Sequence, residues 1–175
     1  DHQNDPFIVE KVIKASPFLM NKLIEWGMRF DREKSNELNL TLEGGHSSNR
    51  ILHHKDSTGR ILQETLLNNI PKDCTIHTHL MVVNIIKDGN GIFHLLCKNK
   101  YGKFTQIITK YVILATGGLG MLYQRTTNQA ISTGDGIYLA SKLGAKIKDL
   151  SFIQFHPTGL FNHSAETFLI SEAVR

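Results

Sequence analysis

Two neighbouring stretches, YVILATGGLG (residues 111–120) and NQAISTGDGIYLASKLGA (residues 128–145), decide how this chain is read. The first is an apolar strand running into Ala115-Thr116-Gly117-Gly118, where glycines without side chains let the backbone approach another molecule closely. In the second, Gly134-Asp135-Gly136 opens a helix predicted over Thr133 to Ala145. Its unpaired amides would face an anion, and its first turn carries a carboxylate. A flavin dinucleotide suits that pairing: the helix N-terminus favours a pyrophosphate, and Asp135 can accept hydrogen bonds from sugar or ribityl hydroxyls. A strand end and a helix cap explain the same residues without a ligand. The G-x-G-x-x-G fingerprint that opens many dinucleotide folds is absent from the sequence.

Working outward, the segment before this stretch has the period of strands. IHTHLMVVNII, IFHLLCKN and FTQIITKYVILAT alternate or run apolar, separated by Asp88-Gly89-Asn90-Gly91 and Lys100-Tyr101-Gly102, both hairpin turns. They predict a β-meander over about residues 75–116. Further back, LNLTLE alternates like a strand, and Asp56 to Ile70 predicts a helix with Ile61, Leu62, Thr65 and Leu66 inward. From Asp5 to Gly27 the apolar spacing is helical, and Pro17 after Ser16 predicts two helices, with Ser16 as N-cap of the second. Helices, a meander, then strand–turn–helix make an α/β domain with an antiparallel insertion, α+β if the chain is a fragment.

Composition bounds the function. The chain has 175 residues, 41% apolar and 21% charged, which suits one globular domain burying roughly 70% of its unfolded surface. No apolar run approaches the roughly 18–20 residues of a membrane span. The start DHQNDPFIVE lacks both the basic end and the apolar stretch of a signal peptide, and no Met opens it, so a cytoplasmic protein continuing before Asp1 is expected. Cys74 and Cys97 stand alone, as reduced, partly buried thiols. The charge of +4 is scattered among acids without an arginine cluster or finger spacing, which argues against nucleic acid and leaves room for an anionic ligand.

A second candidate loop is Glu43-Gly44-Gly45-His46-Ser47, with Arg50, His53 and His54 following. Its glycines let a carboxylate, an imidazole and backbone amides converge on a small polar ligand. No HxxxH or HExxH spacing occurs among the nine histidines, and adjacent His53 and His54 should point apart, so no metal is expected. His77 and His79 fit one strand face, and His2, His94 and His163 fit the surface. FIQFHPTGL (residues 152–160) holds His156 in a turn between apolar runs, either a structural turn or a functional one.

Taken together, EGGHSSNRILHHKDSTGR, ATGG, STGDGIYLA, FIQFHPTG and FLISEAVR resemble the L-aspartate oxidase family, flavoproteins of the succinate dehydrogenase and fumarate reductase superfamily. The five motifs cover most of Leu42 to Arg175. HPTG alone points to the superfamily, whereas EGGHS with RILHH selects aspartate oxidases. The resemblance implies an FAD-dependent enzyme converting L-aspartate to iminoaspartate, the first step of de novo NAD biosynthesis, with oxygen or fumarate as electron acceptor and quinolinate synthase as a partner. It implies cofactor contacts from Met81, Val82, Ala115, Thr116, Gly117 and Asp135. It implies substrate contacts from His156 to a carboxylate, Glu43 to the ammonium, Leu169, and the pair Ser171-Glu172, where the family carries Thr–Glu. Residues 1–150 would belong to a Rossmann-like FAD-binding domain and residues 151–175 would begin a capping domain. The glycine fingerprint would precede Asp1, and the catalytic Arg, a further substrate His and a second substrate Arg would follow Arg175. The 175 residues by themselves are then expected to be inactive. A paralogous fumarate reductase or succinate dehydrogenase, or a non-catalytic anion- or partner-binding module, is the alternative.

Overall fold

The computed structural model describes residues 4–156, 158–160 and 167–170. They fall into two compact units, the first ending at Thr75 and the second spanning Ile76–Ile170.

The first unit opens with helix α1 (Pro6–Glu25). Asp5 caps it, its carboxylate accepting from the N–H groups of Phe7 (2.9 Å) and Ile8 (3.3 Å), and Pro6 takes the first position, where no N–H is needed. Pro17 lies inside this single helix, so the expected break into two does not occur. Ser16 caps nothing; its hydroxyl donates to the Val12 carbonyl at 2.9 Å. An interior proline forfeits one backbone hydrogen bond, and the rest of the 20-residue ladder carries the helix across it. At its end Met28 N–H reaches Leu23 O and Gly27 N–H reaches Ile24 O, both at 2.9 Å, which closes the helix in a Schellman arrangement. Buried Met28 then meets α2 (Thr58–Asn68), where Thr65 Oγ1 lies 3.7 Å from its Sδ and Asn69 Nδ2 donates to Trp26 O at 2.9 Å. Ile61 and Leu62 are half-buried as expected, but Leu66 is exposed. Between the helices, LNLTLE supplies only the two-residue strand β1 (Leu40–Thr41), antiparallel to β2 (Ile51–Leu52).

The second unit is built on an antiparallel meander: β3 (Leu80–Lys87), β4 (Phe93–Asn99) and β5 (Phe104–Thr109), in the order β3-β4-β5. Leu95 and Cys97, two residues apart, face inward and join Ile85 and Leu139 in the core. Leu139 comes from α3 (Asp135–Lys142), so this helix is seated on the sheet by its apolar stripe. Burial pushes the Cys97 thiol up, whereas Cys74 is exposed rather than partly buried. Both turns use side-chain oxygens to hold the chain: Asp88 Oδ1 accepts from Asn90 and Ile92 N–H, and Asn99 Oδ1 from Tyr101 and Lys103 N–H. His94 lies near the surface, half-buried between Asp88 (3.1 Å) and Gln106 (3.1 Å).

Two strand expectations fail. Ile76–His79 precede β3, and His79 has φ 56°, so His77 and His79 share no strand face. Tyr111–Thr116 are not in a sheet, because β5 stops at Thr109, whose hydroxyl bonds the Tyr111 backbone, and no strand among the described residues pairs with the continuation. In this segment Val112 packs on the core, whereas Tyr111, Ile113 and Leu114 are exposed, Ile113 at 92%. A last hairpin pairs β6 (Gly159–Leu160) with β7 (Phe168–Leu169). The observed architecture is therefore mixed helix and antiparallel sheet. Among the described residues no helix is long and apolar enough to cross a membrane.

Candidate functional site

The N-terminus of α3 is placed by its glycines. Gly134 caps the helix with φ 78°, and its N–H donates to Gly118 O at 3.1 Å. Gly136 is pressed so closely on Thr116 that a Cβ there would lie 1.9 Å from Thr116 Oγ1. The ATGG turn and the first turn of α3 are thus one packed feature. Asp135 Oδ2 accepts from Thr133 Oγ1 at 2.7 Å, which fixes the carboxylate beside the helix start. Next to it lies a cleft of about 360 Å³, lined among others by Met81, Val82, Thr116, Asp135, Gly136 and Leu139. Four of the six expected cofactor residues therefore meet in one cleft. Ala115 and Gly117 are exposed beside it and do not line it. A Cβ on Gly117 or Gly118 would meet nothing within 4 Å, so the turn has open space on that side.

A second cavity, of about 390 Å³, lies in the same unit. His156 lines it, with Nδ1 2.9 Å from Thr158 O and 3.2 Å from Thr158 N, so the ring is fixed on the backbone two residues ahead. Tyr123 and Phe155 meet edge-to-face at 5.2 Å and join its two walls. Leu169 pairs with Gly159 across the last hairpin, which brings it near the His156 turn; it is exposed and not part of the lining. Ser171 and Glu172 lie outside the described residues. Arg125 lines this cavity too, although no motif singles it out in the sequence.

In the first unit, the Glu43–His46 turn is closed by His46 N–H on Glu43 O at 3.1 Å, with Glu43 exposed. His46 Nδ1 is buried and has no hydrogen-bond partner among the described residues. His53 and His54 do not diverge as expected: both Nδ1 atoms approach the Asp31 carboxylate, at 3.3 and 3.7 Å. Lys55, the next residue, has φ 46° and donates its own N–H to the same carboxylate, Asp31 Oδ2, at 2.7 Å.

The family described as FAD binding domain matches residues 1–175. The chain belongs to that family. Its relatives include the L-aspartate oxidases of Clostridium perfringens (41% identical, covering 99% of this chain and 40% of that protein), Nostoc sp. (40%, covering 98% and 30%) and Vibrio cholerae (36%, covering 100% and 35%). Among solved structures it is similar to a mutant form of E. coli quinol fumarate reductase FrdA, with TM-score 0.82 and 30% identity over 94% of this chain and 28% of that one. It is also similar to Mycobacterium smegmatis Sdh1, with TM-score 0.83 and 28% identity over 92% and 30%. The chain spans between 30% and 40% of the length of these oxidases.

Proposed function

We propose that this chain is part of an FAD-dependent L-aspartate oxidase, which removes two electrons from L-aspartate to give iminoaspartate and passes them to oxygen or fumarate. The observation that carries the cofactor side is the convergence of Met81, Val82, Thr116 and Asp135 on one cleft at the start of α3. The donor set fits part of a flavin dinucleotide: free amides at a helix N-terminus for a phosphate, a fixed carboxylate for hydroxyls, and the strand Met81–Val82 for a ring face. Bound FAD supplies the two-electron acceptor. The chain's residues hold and orient: Asp135 with Thr116 on the cofactor, His156 on a substrate carboxylate, and Glu43 on the ammonium that distinguishes aspartate from succinate. Leu169, Ser171 and Glu172 add further substrate contacts, and Ala115 and Gly117 present backbone to the cofactor. Residues 1–150 contribute to a Rossmann-like FAD-binding domain and residues 151–175 open a capping domain. The general base is an Arg outside this chain.

A fumarate reductase or succinate dehydrogenase flavoprotein is the second reading, favoured by the similarity to FrdA and Sdh1. Glu43 separates the two. A carboxylate beside an ammonium is stabilising, while beside a methylene it gains nothing. In the complete gene product Glu43→Gln should lower kcat/KM for L-aspartate by roughly 5- to 150-fold, and leave fumarate reduction within about threefold of wild type. Equal losses on both substrates would make Glu43 structural and shift the balance to the second reading.

A further inference from the structure

The Glu43–His46 turn lies in the loop that joins β1 to β2, and both stems of that hairpin end on one residue, Asp31. Just after β2, His53 O accepts from the Asp31 N–H at 2.8 Å; just before β1, Asn39 N–H donates to Asp31 O at 2.9 Å. The Asp31 carboxylate holds the β2 side again, with Lys55 N–H at 2.7 Å and His53 Nδ1 at 3.3 Å. The His53 ring also crosses to the β1 side, its Nε2 lying 2.9 Å from Asn39 Oδ1. Because the Asn39 amide nitrogen donates to the Glu33 carboxylate, the amide oxygen is the atom turned to His53. Both ring nitrogens of His53 thus face acceptors, and a ring that donates from both ties the two stems together. His54 stands beside them, its Nδ1 2.7 Å from Arg29 O and 3.7 Å from Asp31 Oδ1. The stem between this base and the loop is only two residue pairs long, with one more bond from Arg50 N–H to Thr41 O at 3.1 Å. A two-stranded hairpin so short has little stability by itself in water. Its geometry therefore depends on what holds its base.

We infer that Asp31 and His53 are positioning residues for Glu43: their clamp on the base of the hairpin fixes where the Glu43 carboxylate stands, and so sets the preference for an amine-bearing dicarboxylate. This rests on the reading that Glu43 takes the substrate ammonium. Both residues act through Glu43 rather than on substrate. A contact group displaced by about 1 Å loses much of a short charge-assisted hydrogen bond. The coupling is reciprocal: a clamp that favours L-aspartate binding is itself favoured when L-aspartate binds.

The test uses the complete gene product. Asp31→Asn and His53→Gln should each raise KM for L-aspartate by roughly 3- to 30-fold, with kcat and fumarate reduction within about threefold of wild type. On a Glu43→Gln background Asp31→Asn should add less than about a twofold further loss, since it acts only through Glu43. Equal losses on both substrates, or a full further loss on that background, would make the clamp structural and overturn the inference. A measurement without any substitution is amide hydrogen exchange of the wild-type protein, read by peptide mass. Saturating L-aspartate should slow exchange at Asp31, Asn39 and Lys55, and saturating succinate should not. If Glu43→Gln weakens L-aspartate while Asp31→Asn and His53→Gln do not, or if L-aspartate slows exchange in the Glu43 loop but not at those three amides, this inference falls and the reading of Glu43 stands. If Glu43→Gln also leaves L-aspartate unchanged, both fall.

Discussion

Gly136 shows what a single missing side chain does here. A Cβ at this position would lie 1.9 Å from Thr116 Oγ1 and 2.8 Å from Thr116 Cβ, and no rotation of a β-branched side chain clears both. Gly136→Ala should therefore destabilise the second unit by about 1–3 kcal/mol from overpacking, despite the gain of up to about 1 kcal/mol in helix propensity. Urea denaturation checks it: the midpoint should fall in Gly136→Ala and recover when Thr116→Gly is added. A midpoint that Thr116→Gly leaves low would mean that the clash is not with Thr116. The glycine pattern was readable in the sequence as a place of close approach, but not what approaches. Gly136 faces Thr116, whereas Gly117 and Gly118 face open space. Composition cannot separate a glycine packed on its own chain from one left bare for a ligand. Arg125 was illegible for a related reason: a lone cation gains meaning only from the cavity it shares.

At the scale of elements, turns were legible because their chemistry is local. Asp88-Gly89-Asn90-Gly91 closes β3 onto β4 through the Asp88 carboxylate, which accepts from two backbone N–H groups and faces His94. The His94 hydrogen bond, followed by the Ile92 N–H, holds the Asp88 carboxyl below the usual carboxylate range. A carboxyl depressed by folding contributes stability that is complete above its unfolded value, about 3.9, and is lost as pH falls through the folded value. Asp88→Asn keeps the turn's acceptor and removes the charge. The melting-temperature gap between wild type and Asp88→Asn should be largest above about pH 5 and shrink toward pH 2; a gap constant over that range would leave the charge without a role. Elements that depend on distant partners were less legible. Pro17 marks a helix break by local rules, yet α1 runs through it because only one backbone bond is lost. Tyr111–Thr116 has a strand's apolar composition, but a strand needs a neighbour, and none pairs with it among the described residues. The meander supplied its own neighbours through short turns, and its three strands were found.

For the molecule as a whole, the question is how much of an FAD site this chain holds by itself. On the proposed reading its share would be a cleft of about 360 Å³, near the lower end of ligand pockets at roughly 300–1,000 Å³, while a flavin dinucleotide is a long ligand. The pyrophosphate normally rests on a glycine-fingerprint turn and the helix behind it, and no G-x-G-x-x-G occurs in the sequence. What remains is the start of α3, fixed Asp135, Thr116 and the beginning of β3, which would contact only part of such a ligand. Apolar surface at the cleft points the same way: Ile113 lines it and is 92% exposed. Partial contact means a partial share of the binding free energy, set against the full cost of immobilising a flexible ligand. The 175-residue chain should therefore bind FAD more weakly than about 1 μM, the equivalent of about −8 kcal/mol. On gel filtration at micromolar concentration its flavin absorbance should trail at the position of free FAD, whereas the complete gene product should carry flavin in its own peak. Chain that elutes yellow with one FAD per molecule would show that the cleft at α3 is a sufficient site, and that the pyrophosphate is held by the amides of Asp135 and Gly136 rather than by a fingerprint turn.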